Sequence, residues 1–166
     1  TAGVDASTGP LGHGFAMGVG FAVAEAMLAA KYNKPEFTVI DHYTYGLTSD
    51  GDLMEGVASE AASLAGTLGL GKLMCIRDSA FTEDVEARFK AYGWQVLRVA
   101  DSEDIEAMEA AVKEAQADTE HPSLIIVRTH IGYGSPKQDS ASCHGEPLGA
   151  EALALTKEKA GWPVGQ

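Results

Sequence analysis

Asp41-His42-Tyr43-Thr44-Tyr45-Gly46-Leu47-Thr48-Ser49-Asp50-Gly51-Asp52-Leu53-Met54-Glu55-Gly56 is the stretch that decides the fold. Its first half is rich in β-formers, its middle is a Ser-Asp-Gly-Asp turn, and a helix-like run follows at once. A strand that feeds an acidic turn and then a helix N-terminus is how open α/β sheets receive phosphate-bearing ligands. Backbone N–H groups of such a turn can face a phosphate, while a carboxylate, here Asp50, holds the divalent cation that phosphate oxygens require. For an isolated Asp-Gly pair a plain turn is the commoner meaning, so the surrounding sequence has to decide.

Working outward, residues 9–33 read as a helix entered through Pro10, with Phe15, Val19, Ala22 and Ala26 at helical spacing among many small residues. Gly12-His13-Gly14 followed by Gly18 has the wrong spacing for a dinucleotide fingerprint, and no strand precedes it. A strand lies within residues 38–48. Residues 53–68 are helical, with Leu53, Val57, Ala61, Leu64 and Leu68 as the apolar face, and Gly69 and Gly71 punctuate the end. Strands are expected at 73–76 and 95–99, with a helix over 82–92 between them. A further helix, capped by Asp101 or Ser102, sets Ile105, Met108, Val112 and Ala115 on one face. Residues 124–127 are a continuous apolar run, as in a parallel strand buried on both faces. A long loop over 130–148 and a helix over 148–159 close the chain. This alternation predicts one α/β domain over residues 1–166, with a mostly parallel, doubly wound sheet and helices on both faces.

The balance of 12 basic against 24 acidic side chains, net −12, argues against nucleic acid and anionic membranes as partners. It leaves an anionic cofactor open, because a bound cation or helix N-termini can reverse the local field. Cys75 and Cys143 form no CxxC pair and are too few for a disulfide framework, which points to a reducing, cytoplasmic compartment. No signal peptide is visible, and the longest uncharged apolar stretch, residues 15–24, is too short to span a bilayer. The chain opens on Thr1 in mid-motif, as a fragment or a processed product would.

Thr8-Gly9-Pro10-Leu11-Gly12-His13-Gly14, His42-Tyr43-Thr44-Tyr45, Asp50-Gly51-Asp52-Leu53-Met54-Glu55-Gly56 and Glu60-Ala61-Ala62-Ser63-Leu64-Ala65-Gly66 follow one another as landmarks do in transketolase. Arg88-Phe89-Lys90-Ala91-Tyr92-Gly93-Trp94, Ile131-Gly132-Tyr133-Gly134-Ser135-Pro136 and His144-Gly145-Glu146-Pro147-Leu148-Gly149 continue in the same order. The chain therefore resembles the later part of that family's N-terminal, diphosphate-binding domain. The resemblance implies a fragment of an enzyme that moves a two-carbon ketol unit between sugar phosphates, using thiamine diphosphate and Mg²⁺ (or Ca²⁺ or Mn²⁺), and that acts as a homodimer. It implies that Gly9, Pro10 and Leu11 lie against thiamine diphosphate, that Asp50 binds the metal, and that the backbone of Gly51 and Asp52 faces the diphosphate. It places Glu55 and Glu60 at the subunit interface, and His144 as a catalytic residue touching diphosphate and substrate.

Three departures bear on these expectations. Ser49 stands where the family more often has Gly, and residues 139–143 lack a second histidine. Asp78 matches the first residue of the family's Asp-Asp-Asn turn, but Ser79 and Ala80 follow it, and the Asn ligand with its segment is missing. Losing two of few protein ligands predicts a weak metal site. The resemblance also implies that the glutamate that activates thiamine lies in a later domain, outside this sequence, so no turnover is expected of this chain alone. Two rival readings are a fragment of a thiamine-dependent relative such as dihydroxyacetone synthase, and a non-catalytic α/β interaction domain that has lost its metal.

Overall fold

Four strands, β1 (Thr44–Thr48), β2 (Leu73–Asp78), β3 (Gln95–Val99) and β4 (Ser123–Val127), form one all-parallel sheet in the order β1-β2-β4-β3. The structure is a computed structural model and describes residues 2–78 and 83–163. The described residues also form six α-helices: α1 (His13–Tyr32), α2 (Asp50–Met54), α3 (Gly56–Leu68), α4 (Val85–Ala91), α5 (Ile105–Ala117) and α6 (Ala150–Lys159). The chain divides into two compact units, Thr1–Arg128, which holds the sheet, and Thr129–Gln166.

Strand register sorts the side chains. Leu73 and Cys75 share a face with Leu124 and Ile126, and there they join Phe15, Val19 and Ala22 of α1, Ala58, Ala62 and Ala65 of α3 and Phe89 of α4 in one core. Met74, Ile125, Val127 and Val99 point the other way and pack with Ala111 and Ala115 of α5. Helices therefore cover both faces, as the alternating pattern predicts. β4 is buried at all five positions, Ser123 and the four apolar residues after it, which is what a central parallel strand requires.

Several local expectations need correction. The first helix begins at His13, not at residue 9, because Gly12 is left-handed (φ 77°) and breaks the helical path. Its fourth buried position is Glu25 rather than Ala26, one residue earlier in the turn. The predicted face holds only in part: Leu53, on α2, is buried and Ala61 packs against the core, but on α3 Val57, Leu64 and Leu68 are 45%, 50% and 52% exposed, while Ala58, Ala62 and Ala65 are buried. Small residues win the inner face because α3 packs against α1, and short side chains let the two backbones close up. Ile105 is exposed at the start of α5, so that helix buries only its later turns. The strand expected within 38–48 occupies only its last five residues, and the helix expected over 82–92 runs Val85–Ala91, with Thr82 outside the described residues.

By length and apolarity α1 could cross a membrane, yet it packs on the sheet with Glu25 buried in its middle. The Glu25 carboxylate, 4% exposed, accepts a hydrogen bond from Lys72 Nζ at 2.7 Å, and the same ammonium reaches Asp41 at 2.5 Å. These bonds join α1, the segment before β1 and the residue before β2 at the N-terminal edge of the sheet.

Two substitutions test this packing. An alanine Cβ at residue 66 would fall 1.7 Å from the Tyr92 carbonyl oxygen, so Gly66→Ala is expected to cost about 3 kcal/mol, as overpacking of a filled core does, read from urea unfolding. Lys72→Met should also lose about 3 kcal/mol, because it strands a buried carboxylate. Adding Glu25→Leu should recover most of that loss.

Candidate functional site

Because all four strands are parallel, their C-terminal ends share one edge, and the acidic turn leaves that edge from β1. Ser49 caps α2: its Oγ accepts from the Asp52 N–H at 3.2 Å, and Asp52 Oδ2 accepts from the Ser49 N–H at 2.9 Å and the Ser49 hydroxyl at 2.8 Å. The reciprocal bonds form a capping box and fix the turn. The other carboxylate oxygen, Asp52 Oδ1, accepts from the Gly12 N–H at 2.8 Å, forty residues away in sequence. Only glycine suits that position. A Cβ there would lie 2.9 Å from both Glu55 Cβ and Val57 Cγ1, on a backbone that is already left-handed. Partial burial works to raise the Asp52 pKa, but the hydrogen bonds from Gly12 and Ser49 outweigh it and hold the carboxyl below its ordinary value.

This clamp brings the two leading motifs together. Leu11 lies against Gly51, whose Cβ would meet Leu11 Cδ1 at 3.7 Å. Gly9, Pro10 and Leu11 line one cavity with Tyr43, Tyr45 and Asp52. Its volume of about 650 Å³ suits a cofactor-sized ligand, and a Cβ at Gly9 would meet nothing within 4 Å. The described residues thus fit thiamine diphosphate. Asp50 and Gly51 are not among the cavity's lining residues. The Gly51 N–H donates to Asp50 Oδ1 at 2.8 Å, and the Asp52 N–H is engaged by Ser49.

A divalent cation fits less well. The C-terminal ends of β1 and β2 run side by side, and they bring Asp50 and Asp78 close enough for their charges to act on each other. Partial desolvation, and then the like charge of Asp50, push the Asp78 carboxyl above its ordinary range. Among the described residues no three His, Cys, Asp or Glu side chains group to hold a metal. Mg²⁺ asks for near-octahedral oxygen ligation, and two carboxylates fall short of it. Ser79 and Ala80, where the sequence departs from the family pattern, lie outside the described residues.

The sequence reading passed over Arg77. It is 3% exposed, shares its strand face with Thr48 and Ile126, and its Nε and Nη2 have no hydrogen-bond partner. The available signal was an arginine interrupting an otherwise apolar strand run. Glu55 and Glu60 are both exposed, Glu55 just before α3 and Glu60 within it. In the second unit, His144 is exposed at the end of a 3₁₀ turn (Ala141–His144), and His130 Nδ1 contacts Asp139 Oδ1 at 2.9 Å. Cys143 Sγ donates to the Lys137 carbonyl at 3.0 Å, while burial pushes the Cys75 thiol to about 12 and makes it inert. His13 and His42 are exposed.

Because its carboxyl is depressed in the fold, Asp52 stabilises above its unfolded value of 3.8, and that contribution fades as pH falls through the lower folded value. Asp52→Asn should therefore cost about 2 kcal/mol at pH 7, through lost charge-assisted hydrogen bonds. In melts from pH 7 to pH 3 the gap to the unmodified protein should narrow at the acid end.

A family profile described as the transketolase thiamine diphosphate-binding domain matches residues 1–166. The chain is 54% identical to a transketolase of Streptococcus pyogenes over 98% of its own length and 24% of that protein, and 48% identical to transketolase 1 of Escherichia coli over 98% and 26%. Among solved structures, the Pichia stipitis transketolase in complex with sedoheptulose-7-phosphate superposes with a TM-score of 0.94 at 46% identity, covering 99% of this chain and 26% of that one. Transketolase from Leishmania mexicana gives 0.93 at 44%, over 100% and 27%. The alignments with bacterial relatives run over 173 to 175 residues against 166 in this chain, so those relatives carry residues it lacks. The chain spans about a quarter of the length of these relatives, and by the match along all of it, it belongs to the transketolase family.

Proposed function

We propose that this chain is the diphosphate-binding part of a transketolase, whose whole enzyme transfers a two-carbon ketol unit between sugar phosphates. The observation that carries this reading is the Gly12 N–H bond to Asp52, which sets the Gly9-Pro10-Leu11 segment and Asp52 of the acidic turn on one cavity. When bound, thiamine diphosphate supplies an electron sink for the ketol carbon. Gly9 admits a close backbone approach, and Pro10 and Leu11 wall the cavity on that side. Asp50, Gly51 and Asp52 receive the diphosphate end. The divalent cation, Mg²⁺ with Ca²⁺ or Mn²⁺ as substitutes, is assigned to Asp50 as a weak ligand. By the resemblance alone, His144 is the catalytic residue that contacts diphosphate and substrate.

A homodimer is supported by the exposed apolar stripe Met54, Val57, Leu64 and Leu68, with Glu55 and Glu60 beside it. Two free cysteines suit a cytoplasmic setting. The second reading, a non-catalytic interaction domain, draws on that same stripe together with the incomplete metal site. Calorimetric titration of the purified chain with thiamine diphosphate separates the two. Saturable binding, weakened at least tenfold by Asp50→Ala, is expected from the first reading. A folded chain that binds no thiamine diphosphate, with or without Mg²⁺, would overturn it in favour of the second. In a coupled ketol-transfer assay the chain alone is expected to give no turnover.

A further inference from the structure

We propose that Cys143 is a positioning residue: its side chain fastens the turn that carries His144 to the loop before it, and so sets where the imidazole stands. The inference rests on the proposed role of His144 toward a diphosphate and deepens it. All the groups it uses lie in the second unit, Thr129–Gln166. His144 is exposed, and among the described residues its ring makes no hydrogen bond, so its place follows from its own backbone. That backbone is a 3₁₀ turn of four residues, Ala141–His144. Its own bonds are local: the Cys143 N–H donates to the Ser140 carbonyl at 3.1 Å, and the Gly145 N–H to that of Ser142. Short 3₁₀ turns have poor hydrogen-bond geometry, so contacts from outside have to hold one in a fixed place.

The Cys143 side chain supplies that contact. Its Sγ donates to the Lys137 carbonyl at 3.0 Å and accepts from the Ser140 hydroxyl at 3.7 Å. It also fills the space over Gly132, where an added Cβ would lie 2.4 Å from Sγ and 3.2 Å from Cys143 Cβ. The loop on which it rests is itself fastened. The Asp139 N–H donates to the Ile131 carbonyl at 2.9 Å, and the His130 ring contacts the Asp139 carboxylate at 2.9 Å. Inside that closure the Gly134 N–H donates to Gln138 Oε1 at 2.8 Å. Asp139 has a left-handed backbone, φ 63°, alone among the described non-glycine residues. Such a conformation persists where surrounding contacts over-determine it. The sulfur thus joins an exposed turn to a closed loop. A thiol is a weak donor, so its close packing on Gly132 matters as much as its bond.

The test is calorimetric titration of the full chain, in Mg²⁺, with thiamine diphosphate and separately with inorganic pyrophosphate, run as a double-mutant cycle on Cys143 and His144. His144→Ala should lose roughly tenfold in affinity, as removal of a contact to a charged group does. Cys143→Ala should lose roughly fivefold, and the double variant no more than His144→Ala alone, because both changes act on one contact. Gly132→Ala displaces the sulfur and should lose as much as Cys143→Ala, again only while His144 is present. Cys143→Ser keeps a donor of similar size and should recover most of the binding. A Cys143 that merely supports the fold would lower affinity by the same factor with or without His144, and that additive result would overturn the proposal. So would Cys143→Ala binding as tightly as the unmodified chain. Both outcomes leave the thiamine diphosphate reading standing. Undiminished binding by His144→Ala would overturn the proposal together with the role of His144. Absence of binding by the unmodified chain would overturn it together with the thiamine diphosphate reading.

Discussion

The Asp52 carboxylate holds the site together, because it is shared between two jobs that a single side chain seldom combines. One oxygen closes the capping box on Ser49, which stops β1 and starts α2 within a single turn. The other reaches the N–H of Gly12, the residue on which the chain enters α1. A helix start and a strand end, forty residues apart in sequence, are thereby held in one geometry by hydrogen bonds to one charged group. Neither Ser49 nor Gly12 alone could set that distance. The cavity lined by Gly9, Pro10 and Leu11 on one side and Asp52 on the other follows from it.

The clamp works only because the helices beneath it are allowed to approach. The inner face of α3 is alanine and Gly66, and Trp94 Nε1 donates to the Ala62 carbonyl at 2.8 Å across that contact. Phe15, Phe89 and Trp94 fill the space next to it, with Phe15 and Trp94 stacked at 5.9 Å and Phe89 edge-on to both. Small residues thus bring α3 close, and three aromatic rings occupy the volume that remains. This arrangement also explains why the longer aliphatic residues of α3 face outward.

Much of this was legible in sequence, and the parts that were not share a cause. The strand at 124–127, the strand at 95–99 and the α/β alternation could be read because a parallel sheet imposes continuous apolar runs and even spacing. The α3 face was misread because periodicity counts hydrophobicity, and both stripes of that helix are apolar. Choosing between Val57-Leu64-Leu68 and Ala58-Ala62-Ala65 needs the partner helix, which only the fold supplies. Glu25 was passed over for the same reason, since its burial depends on Lys72, forty-seven residues on. In the site, the resemblance located the turn and the cavity segment, but neither the Asp52–Gly12 bond nor the want of an ion pair at Arg77 among the described residues leaves a local trace. Both are properties of contacts between elements.

The two edges of the sheet handle charge in opposite ways, and that difference separates stability from function. At the N-terminal edge, Glu25, Lys72 and Asp41 compensate one another: burial alone would lower the Lys72 pKa, and the two carboxylates reverse that shift and raise it. At the C-terminal edge, Asp50 and Asp78 oppose each other, and Arg77, though the charges of both act on it, makes no ion pair among the described residues. A fold selected for stability alone would close the second edge as it closes the first, because uncompensated charges near a low-dielectric core are destabilising. Leaving them open makes physical sense where a ligand completes the set. The open edge is the one from which the acidic turn departs, so the charges without an ion-pair partner lie beside the turn whose cap on Asp52 fixes the cavity.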